Sequence, residues 1–109
     1  MTRRNEAFRV LLAAPGCTLA ANIFDPLSAR IAELAGYELL VLSGSVGKAA
    51  NLACPDMVVS TLADVQDHVR RIARATDIPI MVDAEDGFGN AVNARRCARE
   101  FEAAGVSGI

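Results

Sequence analysis

Two helix-like stretches of this chain end in the same way and run into the same kind of segment. Leu34-Ala35-Gly36-Tyr37 and Ala103-Ala104-Gly105-Val106 each pass from a helical pattern through an Ala-Gly stop into an apolar run. Glycine just past a helix ends it, because glycine takes the left-handed conformation without a Cβ penalty. The apolar run that follows reads as a strand of a parallel sheet. A helix–stop–strand unit that repeats restricts the chain to the α/β class with parallel strands.

The remaining pattern fits that frame. A helix is predicted over residues 3–13, with Phe8, Leu11 and Leu12 on one face and Pro15-Gly16 ending it. Residues 18–23 form a first strand. Asp25 as N-cap and Pro26 at the first helical position open a second helix, whose apolar stripe is Leu27, Ile31 and Leu34. Residues 37–42 are apolar almost without a break, as expected of a strand buried on both faces. Residues 43–60, rich in Gly, Ser and Pro, read as a long loop. Thr61 and Asp64 resemble a capping box, and Leu62, Val65, Val69 and Ile72 mark the face of the helix that follows. A third strand spans 78–82 and a second Gly-rich loop spans 83–90. A last helix turns Ala94, Cys97, Phe101 and Ala104 inward, and 106–109 begins a fourth strand.

Composition narrows the function classes. Eleven Lys and Arg against 13 Asp and Glu give a net charge of −2, so no basic surplus exists for nucleic acid. The apolar runs are far shorter than the roughly 20 residues of a membrane span, and no signal-type segment opens the chain. Cys17, Cys54 and Cys97 are odd in number and far apart, which suits neither a disulfide framework nor zinc and points to a reducing cytoplasm. The chain is apolar for its size: 52% of its 109 residues are hydrophobic and the mean hydropathy is +0.29. A small domain has much surface to cover with polar groups, so the excess needs a cause.

In parallel α/β folds, functional groups collect on loops at the C-terminal ends of strands. Two loops qualify. Ser43-Gly44-Ser45-Val46-Gly47-Lys48 follows the second strand, and its small residues let backbone N–H groups approach an anion; a turn that needs glycine for its conformation is the alternative. Ala49 stands where a phosphate loop requires Ser or Thr, and the glycine spacing is wrong, so nucleotide binding is disfavoured. The second loop places Asp83, Glu85 and Asp86 within four residues at a strand end. If the strand continues, Asp83 and Glu85 point to one side. Clustered carboxylates repel unless a cation shares them, and hard oxygen ligands favour Mg²⁺ or Mn²⁺. A solvated acidic turn is the competing reading. Asp56 reads by itself as a turn residue, and His68 as a surface histidine of an amphipathic helix.

Three stretches together resemble the isocitrate lyase / phosphoenolpyruvate mutase superfamily. They are Asp25-Pro26-Leu27-Ser28-Ala29-Arg30 with Ala35-Gly36-Tyr37; Leu42-Ser43-Gly44-Ser45 followed by Cys54-Pro55-Asp56; and Asp83-Ala84-Glu85 with Gly87-Phe88-Gly89-Asn90. The last is similar to the family's Asp-x-Asp-x-Gly-Tyr-Gly-Asn metal motif. The resemblance implies a (β/α)₈ TIM barrel, of which residues 1–109 would be about four βα units, ending in the fourth strand. A barrel of about 250 residues would explain the apolar excess, since the other half covers these strands and helix faces. The resemblance further implies Mg²⁺, with Asp83 as ligand and Glu85 and Asp56 in its direct or water-mediated shell. Ser43, Gly44 and Ser45 would hold the carboxylate of a small 2-oxo acid, cleaved through an enolate. A homo-oligomer, dimer or tetramer, is implied as well.

Three residues depart from the family pattern. Glu85 stands for Asp, Asp86 for Thr or His, and Phe88 for Tyr. These departures point away from the standard isocitrate and methylisocitrate lyases and toward the oxaloacetate decarboxylase or phosphonomutase-like branches, with oxaloacetate decarboxylation the first expectation. A 2-methylisocitrate lyase, a phosphonomutase-like enzyme and a non-catalytic relative are the alternatives. A Lys-x-Cys-Gly-His loop, the mark of the lyases, would fall beyond Ile109, and the 109 residues alone are expected to be weakly active or inactive.

Overall fold

The structure, a computed structural model, describes residues 2–109. Its elements are α1 (Arg3–Ala13), β1 (Ala21–Asn22), α2 (Pro26–Leu34), β2 (Leu40–Leu42), α3 (Gly44–Leu52), α4 (Leu62–Ala73), β3 (Ile80–Val82) and α5 (Ala91–Ala104). The three strands form one parallel sheet in the order β1-β2-β3, with Ala21 opposite Leu40 and Leu40 opposite Ile80. Met81 makes a further parallel bridge to Gly108, so the 106–109 segment lies alongside β3 where a fourth strand is expected.

The repeated junction has one geometry in both places. Gly36 and Gly105 are left-handed, at φ 89° and 98°. The next residue then donates five positions back: Tyr37 N to Ala32 O at 3.1 Å and Val106 N to Phe101 O at 3.0 Å. Each junction thereby satisfies an orphan carbonyl at a helix end and turns the chain into the sheet.

Capping sets the helix starts. Asp25 accepts from Ser28 N at 2.7 Å, and the Ser28 hydroxyl in turn accepts from Asp25 N at 3.0 Å. Thr61 and Asp64 reciprocate in the same way at α4. The core lies between the sheet and α2, α4 and α5. Leu40, Leu42, Ile80 and Val82 meet Ala29 and Ala32 of α2, Val69 and Ile72 of α4, and Cys97, Phe101 and Ala104 of α5.

Several expectations need correction. Residues 43–60 are not one long loop, because Gly44–Leu52 is helical. Glycine at 44 and 47 lowers helix propensity and hid it. Ser43 starts the helix by accepting from Val46 N at 3.3 Å, and Ala53 ends it in a left-handed conformation. Gly47 is needed for packing: a Cβ there would lie 3.3 Å from Leu42 Cδ1. The strands are also shorter than the apolar runs, and only alternate residues are fully buried, with Val41 and Met81 half-buried. Helix α2 buries Ala29 and Ala32, whereas Leu27, Ile31 and Leu34 are exposed. The small alanines allow close approach to the sheet; the leucine stripe faces outward.

Helix α1 sits at the N-terminal end of the strands. Arg4 donates to Gly105 O, Ala73 O and Thr76 O at 3.0, 2.9 and 2.5 Å, gathering the C-terminal ends of α4 and α5. The opposite end of the sheet is left to the loops that follow β2 and β3. No helix among the described residues is long and apolar enough to cross a membrane.

Candidate functional site

The site forms where β2 and β3 end side by side. Asp83 N donates to Leu42 O at 3.0 Å, which is the last rung between the two strands. Beyond it the chains diverge into the N-terminus of α3 and the 83–90 turn. That turn is not an extension of the strand, contrary to the alternation expected from sequence. Glu85 and Phe88 are left-handed, at φ 52° and 62°, a conformation costly for non-glycine residues. Asx-type bonds hold them: Glu85 N donates to Asp83 Oδ1 at 2.9 Å, and Phe88 N to Asp86 Oδ1 at 2.8 Å.

Asp83 and Glu85 still converge, but across the sheet rather than along a strand. Both carboxylates close on Gly44. The Gly44 N–H donates to Asp83 Oδ2 at 3.2 Å. A Cβ on Gly44 would lie 3.0 Å from Asp83 Oδ2 and would collide with Glu85 Oε1. Glycine at this position is what lets the two acids reach the end of α3.

Sequence reasoning missed the residue that organises the group. Lys48, on the second turn of α3, is only 3% exposed. Its Nζ donates to Glu85 Oε1 at 2.5 Å and lies 3.1 Å from Asp56 Oδ1. The hydrogen bond to Glu85, reinforced by Asp56, pushes the Lys48 ammonium above its ordinary value despite the opposing effect of desolvation. The signal was present as a lysine four residues after Gly44, but the absence of a recognised helix left it unplaced.

Asp56, 71% exposed at its side chain, thus reaches the site through Lys48. Asp86 does not join it; it faces a separate surface depression with Val58, Phe88 and Asn93. Ser43 and Gly44 line the site at the N-terminal end of α3, whereas Ser45 is exposed. His68 is buried rather than on the surface, and its Nε2 donates to Phe24 O at 2.6 Å. It lines the same narrow cleft as Lys48, Asp64, Asp83 and Glu85, with a volume of about 20 Å³, room for one water molecule.

The donor set suits a hard divalent cation in kind: carboxylate oxygens at one strand end, with more negative charge than Lys48 offsets. Among the described residues, no three acidic, histidine or cysteine side chains are arranged to hold a metal together. The carboxylates are instead divided, with Glu85 and Asp56 on the ammonium and Asp83 on backbone N–H groups.

A sequence model of the phosphoenolpyruvate phosphomutase family matches residues 8–109. The chain belongs to that family. It is 45% identical over 106 residues to an oxaloacetate decarboxylase of Rhodopseudomonas palustris (strain BisB18), covering 97% of this chain and 37% of that relative. Among solved structures, an oxaloacetate acetylhydrolase superposes with a TM-score of 0.90 at 27% identity, over 96% of this chain and 38% of that one. A phosphonopyruvate hydrolase complexed with oxalate and Mg²⁺ superposes with a TM-score of 0.88 at 33% identity, over 96% and 37% of the two chains. The fold is therefore the opening part of the barrel of this superfamily. The chain spans about 37% of the length of the family relatives it matches.

Proposed function

We propose that this chain carries the metal- and substrate-binding strand ends of a Mg²⁺-dependent lyase that decarboxylates oxaloacetate or a close 2-oxo acid. The observation that carries the reading is the convergence of Asp83 and Glu85 on Gly44 at the C-terminal ends of two adjacent parallel strands. That is where a barrel enzyme of this class assembles its chemistry. The 45% identity to an oxaloacetate decarboxylase supports the choice of substrate.

Asp83 would hold the ion directly, with Glu85 and Asp56 as direct or water-mediated ligands; Mn²⁺ would serve in place of Mg²⁺. Held by these residues, the ion would supply Lewis-acid stabilisation of negative charge on a 2-oxo oxygen. The chain's own residues bind and orient. Ser43, Gly44 and Ser45 open α3, where a helix N-terminus favours a substrate carboxylate. The rigid β2–β3 rung fixes that terminus against Asp83, so the substrate's carboxylate and its 2-oxo group are held in a set relation. A cytoplasmic homo-oligomer, dimer or tetramer, completes the reading; the unpaired Cys17, Cys54 and Cys97 fit a reducing compartment.

A second reading is phosphonate chemistry, favoured by the 33% identity to a phosphonopyruvate hydrolase. The test is a panel of oxaloacetate, phosphonopyruvate and 2-methylisocitrate with Mg²⁺, applied to the full product of the reading frame that encodes this chain. Release of pyruvate and CO₂ from oxaloacetate in preference to the others is expected. Preference for phosphonopyruvate transfers the assignment to the second reading, and no turnover of any of them makes the protein a non-catalytic relative.

A further inference from the structure

A buried lysine placed on two of three carboxylates changes what those carboxylates can do. Lys48 is almost wholly enclosed, and its ammonium meets the carboxylates of Glu85 and Asp56. Glu85, with its side chain 14% exposed, has little room to leave the ammonium. The left-handed backbone at Glu85 and the bond from its N–H to Asp83 Oδ1 fix where that side chain starts; Lys48 fixes where it ends. Gly44 closes the third side, since even a methyl group there would collide with Glu85. Asp56 is held from the other direction, through a single contact at 3.1 Å. Asp83 alone makes no contact with the ammonium; its oxygens accept from Gly44 N and Glu85 N, and each retains lone-pair capacity.

We propose that Lys48 is an internal counter-cation and positioning residue of this site, which holds Glu85 in place and competes with a divalent cation for its carboxylate. The inference rests on the metal-site reading given under Proposed function. An ammonium neutralises one unit of charge and has no vacant orbital, so it orders carboxylates through hydrogen bonds without coordinating them as a metal ion does. A divalent cation entering beside Asp83 meets a positive charge already present and must share Glu85 or displace Lys48 from it. Removing the ammonium while leaving the acids therefore tightens the site for metal. The tightening depends on Glu85, because that is the ligand set free. Lys48 thereby sets how weakly the site holds its ion.

The test is a Mn²⁺ titration followed by electron paramagnetic resonance, which counts free ion and requires no turnover. It uses the protein carrying this chain, with folding checked by circular dichroism. Lys48→Met is expected to tighten Mn²⁺ binding fivefold or more, and Glu85→Gln added to it is expected to remove that gain. Lys48→Gln, which keeps a polar head in the enclosed position, serves where Lys48→Met does not fold. A change of less than fivefold, a weakening, or a gain that survives Glu85→Gln overturns the proposal. Asp83→Ala separates the two levels of the account. If Asp83→Ala abolishes Mn²⁺ binding while Lys48→Met leaves it unchanged, the metal site stands and the role of Lys48 falls. If Asp83→Ala leaves binding intact in both the native and the Lys48→Met backgrounds, the metal-site reading itself falls, and the proposal with it.

Discussion

The Lys48 ammonium lies 2.5 Å from Glu85 Oε1 and joins helix α3 to the turn that follows β3. The two residues are 37 positions apart in sequence, and the pair closes over the last rung between β2 and β3. Asp56 adds the segment between α3 and α4 to the same cation. One buried side chain thus ties together the three pieces of backbone that surround the proposed substrate position.

The first consequence concerns Gly44. Its α-carbon lies so close to the Glu85 carboxylate that alanine forces a displacement, and Lys48 resists it. Gly44→Ala is expected to destabilise the protein by about 1–3 kcal/mol, as overpacking does, in urea denaturation. In a Glu85→Ala background the same change is expected to cost much less. Equal costs in the two backgrounds would remove Glu85 as the cause.

Arg4 predicts a second effect, at the other end of the sheet. Its guanidinium donates to carbonyls at the ends of two helices, with bonds to Gly105 O, Ala73 O and Thr76 O. Arg4→Ala is expected to cost about 2 kcal/mol, the scale of charged hydrogen bonds to partly buried carbonyls. Arg4→Lys is not expected to rescue it, because an ammonium cannot span three carbonyls as a planar fork does. Thermal denaturation of the three proteins compares them directly.

The α4 capping box carries a pH dependence. Thr61 donates both its backbone N–H and its hydroxyl to Asp64 Oδ2, at 2.8 and 2.7 Å, which holds the Asp64 carboxyl below the ordinary 3.8. A value depressed on folding contributes stability above the unfolded value and loses it as pH falls through the folded one. Asp64→Asn is therefore expected to destabilise at pH 7, and the gap from the native protein to narrow as the pH is lowered below about 4. Thr61→Ala is expected to cost about 1 kcal/mol at neutral pH. Urea midpoints across that pH range give the answer; a gap that widens on acidification contradicts the sign.

The thiols separate by environment. Cys97 is buried beside Phe101 in the core, and desolvation pushes its thiol up, whereas Cys17 is exposed. Iodoacetamide at neutral pH is expected to label Cys17 first and Cys97 only after denaturation, since the thiolate is the reactive form. Peptide mass spectrometry reads the order.

Much of the fold was legible because its punctuation is local. Asp25-Pro26, Thr61 with Asp64, Gly36 and Gly105 each act within a few residues, and the structure uses them as the sequence suggests. Helix α3 was not legible, since its glycines obey a packing demand from Leu42 and a close approach to Glu85 that only the folded sheet creates. The orientation of α2 was not legible for a related reason: alanines, not the Leu27, Ile31 and Leu34 stripe, pack against the strands, and a hydrophobic stripe does not say what it faces. At the site, Asp83 and Glu85 were visible as a cluster. The bond from Lys48 to Glu85 was not, because it joins segments that follow two different strands and depends on α3 being a helix.

Asp83, at the end of β3, is proposed to anchor the chemistry of a 2-oxo acid lyase. The most direct measurement is pyruvate release from oxaloacetate with Mg²⁺, corrected for loss in Mg²⁺ alone, for the full product of this reading frame and its Asp83→Ala variant. Turnover above the Mg²⁺ background is expected, falling at least about a hundredfold in Asp83→Ala, the scale on which single electrostatic groups act in catalysis. A native protein no faster than Mg²⁺ alone, or an Asp83→Ala variant as active as the native protein, would contradict it.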